Sequence, residues 1–342
     1  MDCEAASGFF FIIHHSSFII HHSSFIIHHS SFIIPLSPSM LLRLGTRGSA
    51  LARWQADWVA EQLRTHNINV ELVLITTSGD RRLDSLAAFG GQGVFTKEIQ
   101  QALLENRIDA AVHSLKDLPT EQPPELCLAA VPERAACGDV LICPKFGTLE
   151  KLPPRASVGT SSLRRQAQLL HVRPDLQIKE IRGNVDTRLT KVHAGDYDAI
   201  VLAEAGVTRL GLAVEITQRL PFELLLPAVG QSALGIETRQ NDEPARNGVA
   251  ALDHPATHAA VLAERAMLAA LRGGCRAPVA AWARLEDDRL HLTGRVISPN
   301  GRIELEAVSI AAPSDLLALG RRVADELLDQ GAEEVIQAAR NL

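Results

Sequence analysis

Two adjacent arginines, Arg164 and Arg165 in SSLRRQAQ, head the set of residues able to do chemistry. Arg182 and Arg188 bracket the Gly-Asn turn of RGNVDTR, Arg47 stands in TRGS, and Lys116 is followed at once by Asp117 in VHSLKDLP. Guanidinium forks pair bidentately with carboxylates and phosphates, which a lysine cannot do. Five arginines and a lysine at one edge therefore describe a site for a polyanion, and carboxylates or phosphates suit it equally. Taken singly each is weak, because an arginine at a helix start is commonly surface decoration and Ser161 or Ser162 can be an N-cap alone. Asp117 is the exception. A lone carboxylate among cations stays ionised, and it serves either as a salt-bridge partner of Lys116 or a nearby arginine, or as a group that handles protons and stabilises a cation formed from the ligand. The fifth feature is LRGGCRAP, where Cys275 follows two glycines and sits between Arg272 and Arg276.

These residues need a scaffold that brings loops together. From Met40 the chain alternates short β-rich runs with helical ones: LLRLGT, a helix through SALARWQADWVAEQLRTH, VELVLITT, a Gly-rich loop, a helix from about Phe95 to Asn106, then IDAAVHS. In the first helix Leu51, Trp54, Val59 and Leu63 share a face. A second unit repeats the pattern through DVLICP, ASVGTS, LRRQAQLLHV, QIKEIR, NVDTRLTKVHAG and DAIVLAEA. Strand–helix alternation predicts parallel sheets with helices on both faces, and PERAACGD and LPFELLLPAVGQ read as hinges between units. After about residue 250 a helix, HAAVLAERAMLAAL, leads to the Cys275 loop, three strand-like runs and a closing helix pair. In open α/β sheets ligands bind beyond the carboxyl ends of the strands. TRGS, KD, SSLRR and RGNVDTR all fall there. The predicted boundaries are 40–132 with a return segment at about 231–248, then 138–228, then 250–342.

Composition narrows the class. The 342 residues are 46% hydrophobic and 22% charged, with a formal net charge of -6, so the chain is globular and not built to coat nucleic acid. Six lysines leave 28 of the 34 basic residues as arginine. A GC-rich genome accounts for that bias as well as a carboxylate site does. Five irregularly spaced cysteines argue against a disulfide framework and a cysteine-based zinc site, and for a reducing cytosol. Cys127 and Cys143, in apolar runs, are expected to be buried strand residues. No metal and no membrane span are expected. Residues 1–39, with FIIHHSS repeated three times, resemble a translated tandem repeat from a misassigned start, and the domain-like sequence begins at Met40. The segment lacks the basic residues of a signal peptide, and we expect it to be disordered and dispensable. A chain without residues 1–39 is expected to melt at the same temperature as the full chain.

Taken in order, TRGSALA, AVHSLKDLP, VGTSSLRRQAQL, IRGNVDTRL, LPAVGQSALGIE and LRGGCRAP resemble the porphobilinogen deaminase (hydroxymethylbilane synthase) family from Met40 to the C-terminus. The resemblance implies two periplasmic-binding-protein-like α/β domains around a cleft, plus a smaller α+β C-terminal domain with a three-stranded antiparallel sheet. It implies a transferase that joins four porphobilinogen molecules head to tail with loss of ammonia, giving a linear tetrapyrrole for haem biosynthesis. Loss of each amine leaves an electrophilic azafulvene-type cation. The chain is expected to be a cytoplasmic monomer with no nucleic-acid partner.

The same resemblance assigns residues. Cys275 would carry a dipyrromethane cofactor through a thioether. Lys116, Asp117, Thr160, Ser161, Ser162, Arg164, Arg165, Gly183 and Arg188 would bind that cofactor, with Asp117 catalytic. Arg47, Ser49, Lys97, Arg182 and Arg188 would bind substrate. Bare glycines beside Cys275 would leave room for a planar group, and Arg272 and Arg276 would favour the thiolate. Six rings present about twelve carboxylates for the guanidinium forks. Gln92 departs from the lysine often found there, and Asp186 adds a negative charge beside the binding edge. The rival reading is a non-enzymatic two-lobed anion receptor or sensor.

Overall fold

The computed structural model describes residues 41–77, 96–274 and 277–340. Residues 1–40, Gln92 and the pair Cys275–Arg276 lie outside them. Strand β1 (Leu41–Thr46), the helix Ala50–Thr65, β2 (Asn69–Leu74), the helix Lys97–Leu104, β3 (Ala110–Ser114) and β4 (Leu126–Ala130) come first. β5 (Asp139–Ile142), β6 (Ser157–Gly159), the helix Leu163–Val172, β7 (Gln177–Lys179), the helix Val185–His193, β8 (Ala199–Ala203), the helix Glu204–Arg209 and β9 (Gln218–Arg219) follow. β10 (Leu234–Arg239) precedes the helices Glu243–Ala250 and Pro255–Ala270. Then come β11 (Val279–Glu286), β12 (Arg289–Ile297), β13 (Glu304–Ala311) and the helices Leu316–Asp329 and Ala332–Arg340.

The strands form three sheets: β2-β1-β3-β10-β4, β7-β6-β8-β5-β9 and β11-β12-β13. The first two were expected to be parallel, and both are mixed. β1 pairs in parallel with β2 and β3, whereas β10 runs antiparallel between β3 and β4. In the second sheet β5 pairs antiparallel with β8 and β9. The reason is the path of the chain. It leaves the first sheet after β4, builds the second, and returns as β10 from the opposite direction. The two passages, at 131–138 and 220–233, fall on the segments read as hinges. β10 reads LGIETR, and its inserted position depends on long-range pairing rather than local pattern.

Burial supplies the stability of each sheet. Leu42, Leu44, Ala56, Val59, Ala60 and Leu63 are fully buried between the first sheet and the helix Ala50–Thr65. Trp54, expected on that apolar face, is instead 36% exposed and lies under the Arg209 guanidinium, 5.6 Å from its ring centroid. Val140 and Ile142 point to one face of the second sheet, while Leu141 and Cys143 point to the other. The three-stranded sheet packs one face on the helices Pro255–Ala270 and Leu316–Asp329, with Met267, Leu292 and Val323 fully buried between. Cys143 is fully buried as expected, but Cys127 on β4 is only half-buried, with Sγ 3.5 Å from Thr238 Oγ1.

A buried carboxylate ties the passages to the last sheet. Glu264 accepts from Arg134 Nη1 at 2.7 Å and Nη2 at 3.2 Å, from the Gly230 N–H at 2.7 Å and from the Ala283 N–H at 2.8 Å. Removing one partner of such a pair strands the other charge in a low-dielectric interior. Glu264→Ala is therefore expected to destabilise the fold by about 3–5 kcal/mol, read as a lower urea midpoint with an unchanged slope.

Candidate active site

The carboxyl ends of β3 and β6 converge with the second passage and the last helix before Cys275 on a cavity of about 280 Å³. Lys116, Asp117, Ser161, Ser162, Arg164, Arg165, Arg188 and Gln231 supply its polar wall. Leu268, Gly274, Ala277 and Val279 supply the other side. Gly274 and Ala277 are the described residues that flank Cys275 and Arg276 along the chain. The loop carrying the cysteine thus begins and ends at the cavity that holds Asp117.

Each polar residue is placed by a short-range device. Asp117 closes a single 3₁₀ turn, Leu115–Asp117, at the end of β3. Its carboxylate forms no hydrogen bond and no ion pair within 4 Å among the described residues, although it attracts the adjacent Lys116 ammonium. Ser162 is the N-cap of the helix Leu163–Val172, its Oγ accepting from the Arg165 N–H at 3.4 Å. Ser161 Oγ donates to the Ile181 carbonyl at 2.5 Å, and Thr160 Oγ1 accepts from the Ser162 N–H at 3.2 Å. These hydroxyls shape the loop that delivers Arg164 and Arg165.

Both arginines are almost entirely buried, at 4% and 7% exposure. Arg164 donates through Nη2 to Asp139 Oδ2 at 2.7 Å and through Nη1 to the Leu226 carbonyl at 2.5 Å. Arg165 donates to Asp139 Oδ1 from Nη2 at 2.6 Å and Nε at 3.1 Å, and through Nη1 to the Val201 carbonyl at 3.0 Å. Burial pushes the Asp139 carboxyl up, but the two guanidinium groups outweigh it and hold the acid down at about 2. Asp139 and Gln231 were not singled out from the sequence. The only sequence signal for Asp139 is an acid opening an apolar run, CGDVLIC, four residues long in the sheet.

Arg188 donates through Nε to the Gly183 carbonyl at 2.8 Å, and burial with the nearby Arg165 lowers its pKa to about 10. Gly183 permits this turn because its φ is +114°, and a Cβ there would lie 2.7 Å from Thr187 Cγ2. Burial lowers Lys116 from the ordinary lysine value of 10.5 to about 8, with Asp117 opposing the fall and Arg165 adding to it.

The cavity does not gather every residue assigned from sequence. Arg182 is paired with Glu180 at 2.9 Å, and Ser49 is occupied as the N-cap of the helix Ala50–Thr65. Lys97 is exposed on the first turn of its helix, and Arg47, Thr160 and Gly183 are not in the cavity wall. Asp186 lies in the first turn of the helix Val185–His193, where an acid complements the helix dipole. Arg272 lines a second cavity of about 270 Å³ with Arg340 and is not in the wall of the first; the thiol it was expected to activate lies outside the described residues. Gly273 is also explained by packing rather than openness: a Cβ there would lie 2.5 Å from Leu268 Cδ1.

Sequence comparison decides the family. The family described as "Porphobilinogen deaminase, dipyromethane cofactor binding domain" matches residues 42–247, and its "C-terminal domain" matches 258–329. The chain belongs to the porphobilinogen deaminase family. It is 47% identical over 302 residues to the porphobilinogen deaminase of Moorella thermoacetica, covering 87% of this chain and 96% of the relative. It is 46% identical over 300 residues to that of Carboxydothermus hydrogenoformans, with the same coverages. A solved structure, the methionine-binding protein MetQ, aligns with 62% of this chain and 89% of its own at 13% identity and a TM-score of 0.42. Membership of this family supports the enzyme over the receptor reading, and the matched dipyrromethane-binding region contains the polar wall of the cavity, whereas Leu268, Gly274, Ala277 and Val279 fall in the C-terminal match.

The cavity also passes a test of fit for a dipyrromethane. Its floor offers Arg165, Arg188 and Lys116 to carboxylates, and Arg164 Nε is buried with no hydrogen-bond partner among the described residues. Such an orphaned donor is unusual in a finished interior and suits an anionic guest.

Proposed function

We propose that this chain is a hydroxymethylbilane synthase, a transferase that joins four porphobilinogen units head to tail on a dipyrromethane held by Cys275. The observation that carries this reading is the pairing of an unpartnered carboxylate, Asp117, with a guanidinium-lined wall that ends at both neighbours of the Cys275–Arg276 step. Arg164, Arg165 and Arg188 bind the acetate and propionate groups, helped by Ser161 and Ser162. Arg47, Ser49, Lys97 and Arg182 lie outside the cavity wall and are placed as contacts for the incoming or lengthening chain. When bound, the dipyrromethane supplies a nucleophilic pyrrole α-carbon to which units are added.

Asp117 has two duties in this scheme. With no hydrogen-bond partner among the described residues, its carboxylate can face pyrrole N–H groups, and it lowers the energy of positive charge that develops as the amine departs. Lys116, cationic below about pH 8, holds a carboxylate beside it. The enzyme is proposed to act as a monomer. We place it in a reducing cytosol, where Cys275 reaches the cofactor as a free thiol; Cys127, Cys137 and Cys143 are also free. No helix among the described residues is long and apolar enough to cross a membrane.

Intact-protein mass tests the proposal. The chain produced with its cofactor supply is expected to exceed its sequence mass by a two-pyrrole group and to consume porphobilinogen with release of ammonia. An unmodified, folded chain that ignores porphobilinogen would refute it.

Lys116 adds a pH dependence with a definite sign. Its depressed pKa means that the unfolded chain binds more protons than the native one between about pH 8 and 10.5, so this group makes stability rise with pH across that window. Binding moves the other way, because the cavity loses a cation above about 8. KM for porphobilinogen is expected to rise several-fold from pH 7 to 9, on the order of one lost charge-assisted pair. Lys116→Arg, which stays charged, is expected to flatten that rise.

A further inference from the structure

Asp139 is the most deeply buried charged group of the site, and no role above uses it. It opens β5 where the chain enters the second sheet, and it is 1% exposed. Its two oxygens take three bonds from Arg164 and Arg165, and Oδ1 takes a fourth from Gln231 Nε2 at 3.0 Å. Gln231 Nε2 also reaches the Cys137 carbonyl at 2.8 Å, and the Gln231 carbonyl accepts from Arg134 Nε at 2.8 Å. Arg134 is in turn gripped by Glu264, on the helix that leads to the Cys275 loop. The arginine pair is therefore registered against both passages between the sheets and against the helix that precedes the cysteine.

Simple charge compensation does not account for this arrangement. Two neighbouring guanidinium groups repel each other and, without a common anchor, would splay apart. One carboxylate fixes both, while the Leu226 and Val201 carbonyls pin their far ends. After all these bonds Arg164 Nε still has no partner among the described residues, although it is buried. A side chain held at two points with a donor left open is a preorganised binding group, and preorganised donors need no reorganisation as charge arrives. The pair also presents one net positive charge to the cavity instead of two.

We infer that Asp139, braced by Gln231, is a positioning residue that aims the Arg164–Arg165 pair at carboxylates of the growing chain. The inference rests on the reading of these arginines as carboxylate binders. It extends that reading to a residue that touches neither substrate nor cofactor.

The test uses the full-length holoenzyme and two variants, Asp139→Asn and Asp139→Glu. Melting temperature, kcat, KM and the distribution of intact-mass increments after a limiting addition of porphobilinogen are measured together. Asp139→Asn turns one acceptor into a donor facing an arginine. It is expected to keep its two-pyrrole mass, lose kcat about tenfold or more, and pile up at one increment. Asp139→Glu keeps the charge but shifts both forks by about one methylene, and is expected to lose kcat about threefold or more with the same pile-up. A merely structural role would lower the folded fraction and leave the increment pattern of the folded enzyme unchanged. That outcome, or a folded variant with wild-type kcat and pattern, overturns the inference. If Asp139→Asn does not fold, Asp139→Glu decides. A wild-type chain with neither adduct nor turnover would instead overturn the functional reading beneath it.

Discussion

Asp117→Asn is expected to fold with the wild-type melting temperature, keep its two-pyrrole mass, and lose kcat by a factor of about 10² or more. The substitution changes almost no volume and breaks no hydrogen bond among the described residues, because the Asp117 carboxylate makes none. What it removes is one negative charge from a wall otherwise built of Lys116, Arg164, Arg165 and Arg188. Positive charge forming as an amine departs would then face cations alone. A neutral amide turns a dipole to such a charge but supplies no countercharge, and the difference is largest where water is excluded. KM should change little, since the arginines that hold the carboxylates stay in place. Steady-state kinetics beside intact mass checks this, and near-normal turnover would remove Asp117 from the chemistry.

Cys275→Ser should have the second largest effect. The variant is expected to show the bare sequence mass and turnover near background. A serine hydroxyl is a far weaker nucleophile than a thiolate at neutral pH, so the primer cannot be attached. Folding should survive, because the described residues on either side are held independently: Gly273 by Leu268, and Val279 by its pairing with Val296. A serine variant that still carried the two-pyrrole mass would place the attachment elsewhere. Together the two variants separate loss of the primer from loss of the chemistry performed on it.

Much of this protein was legible in its sequence because local rules govern the features concerned. Helix Leu163–Val172 begins where Ser162 can cap it, and the Gly-Asn turn at 183–184 demands a residue tolerant of positive φ. The cationic loops TRGS, KD, SSLRR and RGNVDTR follow strands, the first two in one sheet and the last two in the other. The six ordered motifs carried the family.

Tertiary structure alone decided which charges are available and which are spent. From sequence, Arg164 and Arg165 are two open cations. In the fold, Asp139, 25 and 26 residues away, clamps both. The mixed sense of both five-stranded sheets, set by β10 in the first and β5 in the second, was likewise invisible to a pattern of periods. The physical reason is the same in each case. Strand and helix periods are set by neighbours along the chain, whereas a buried charge is set by whichever partner the completed fold brings within about 3 Å.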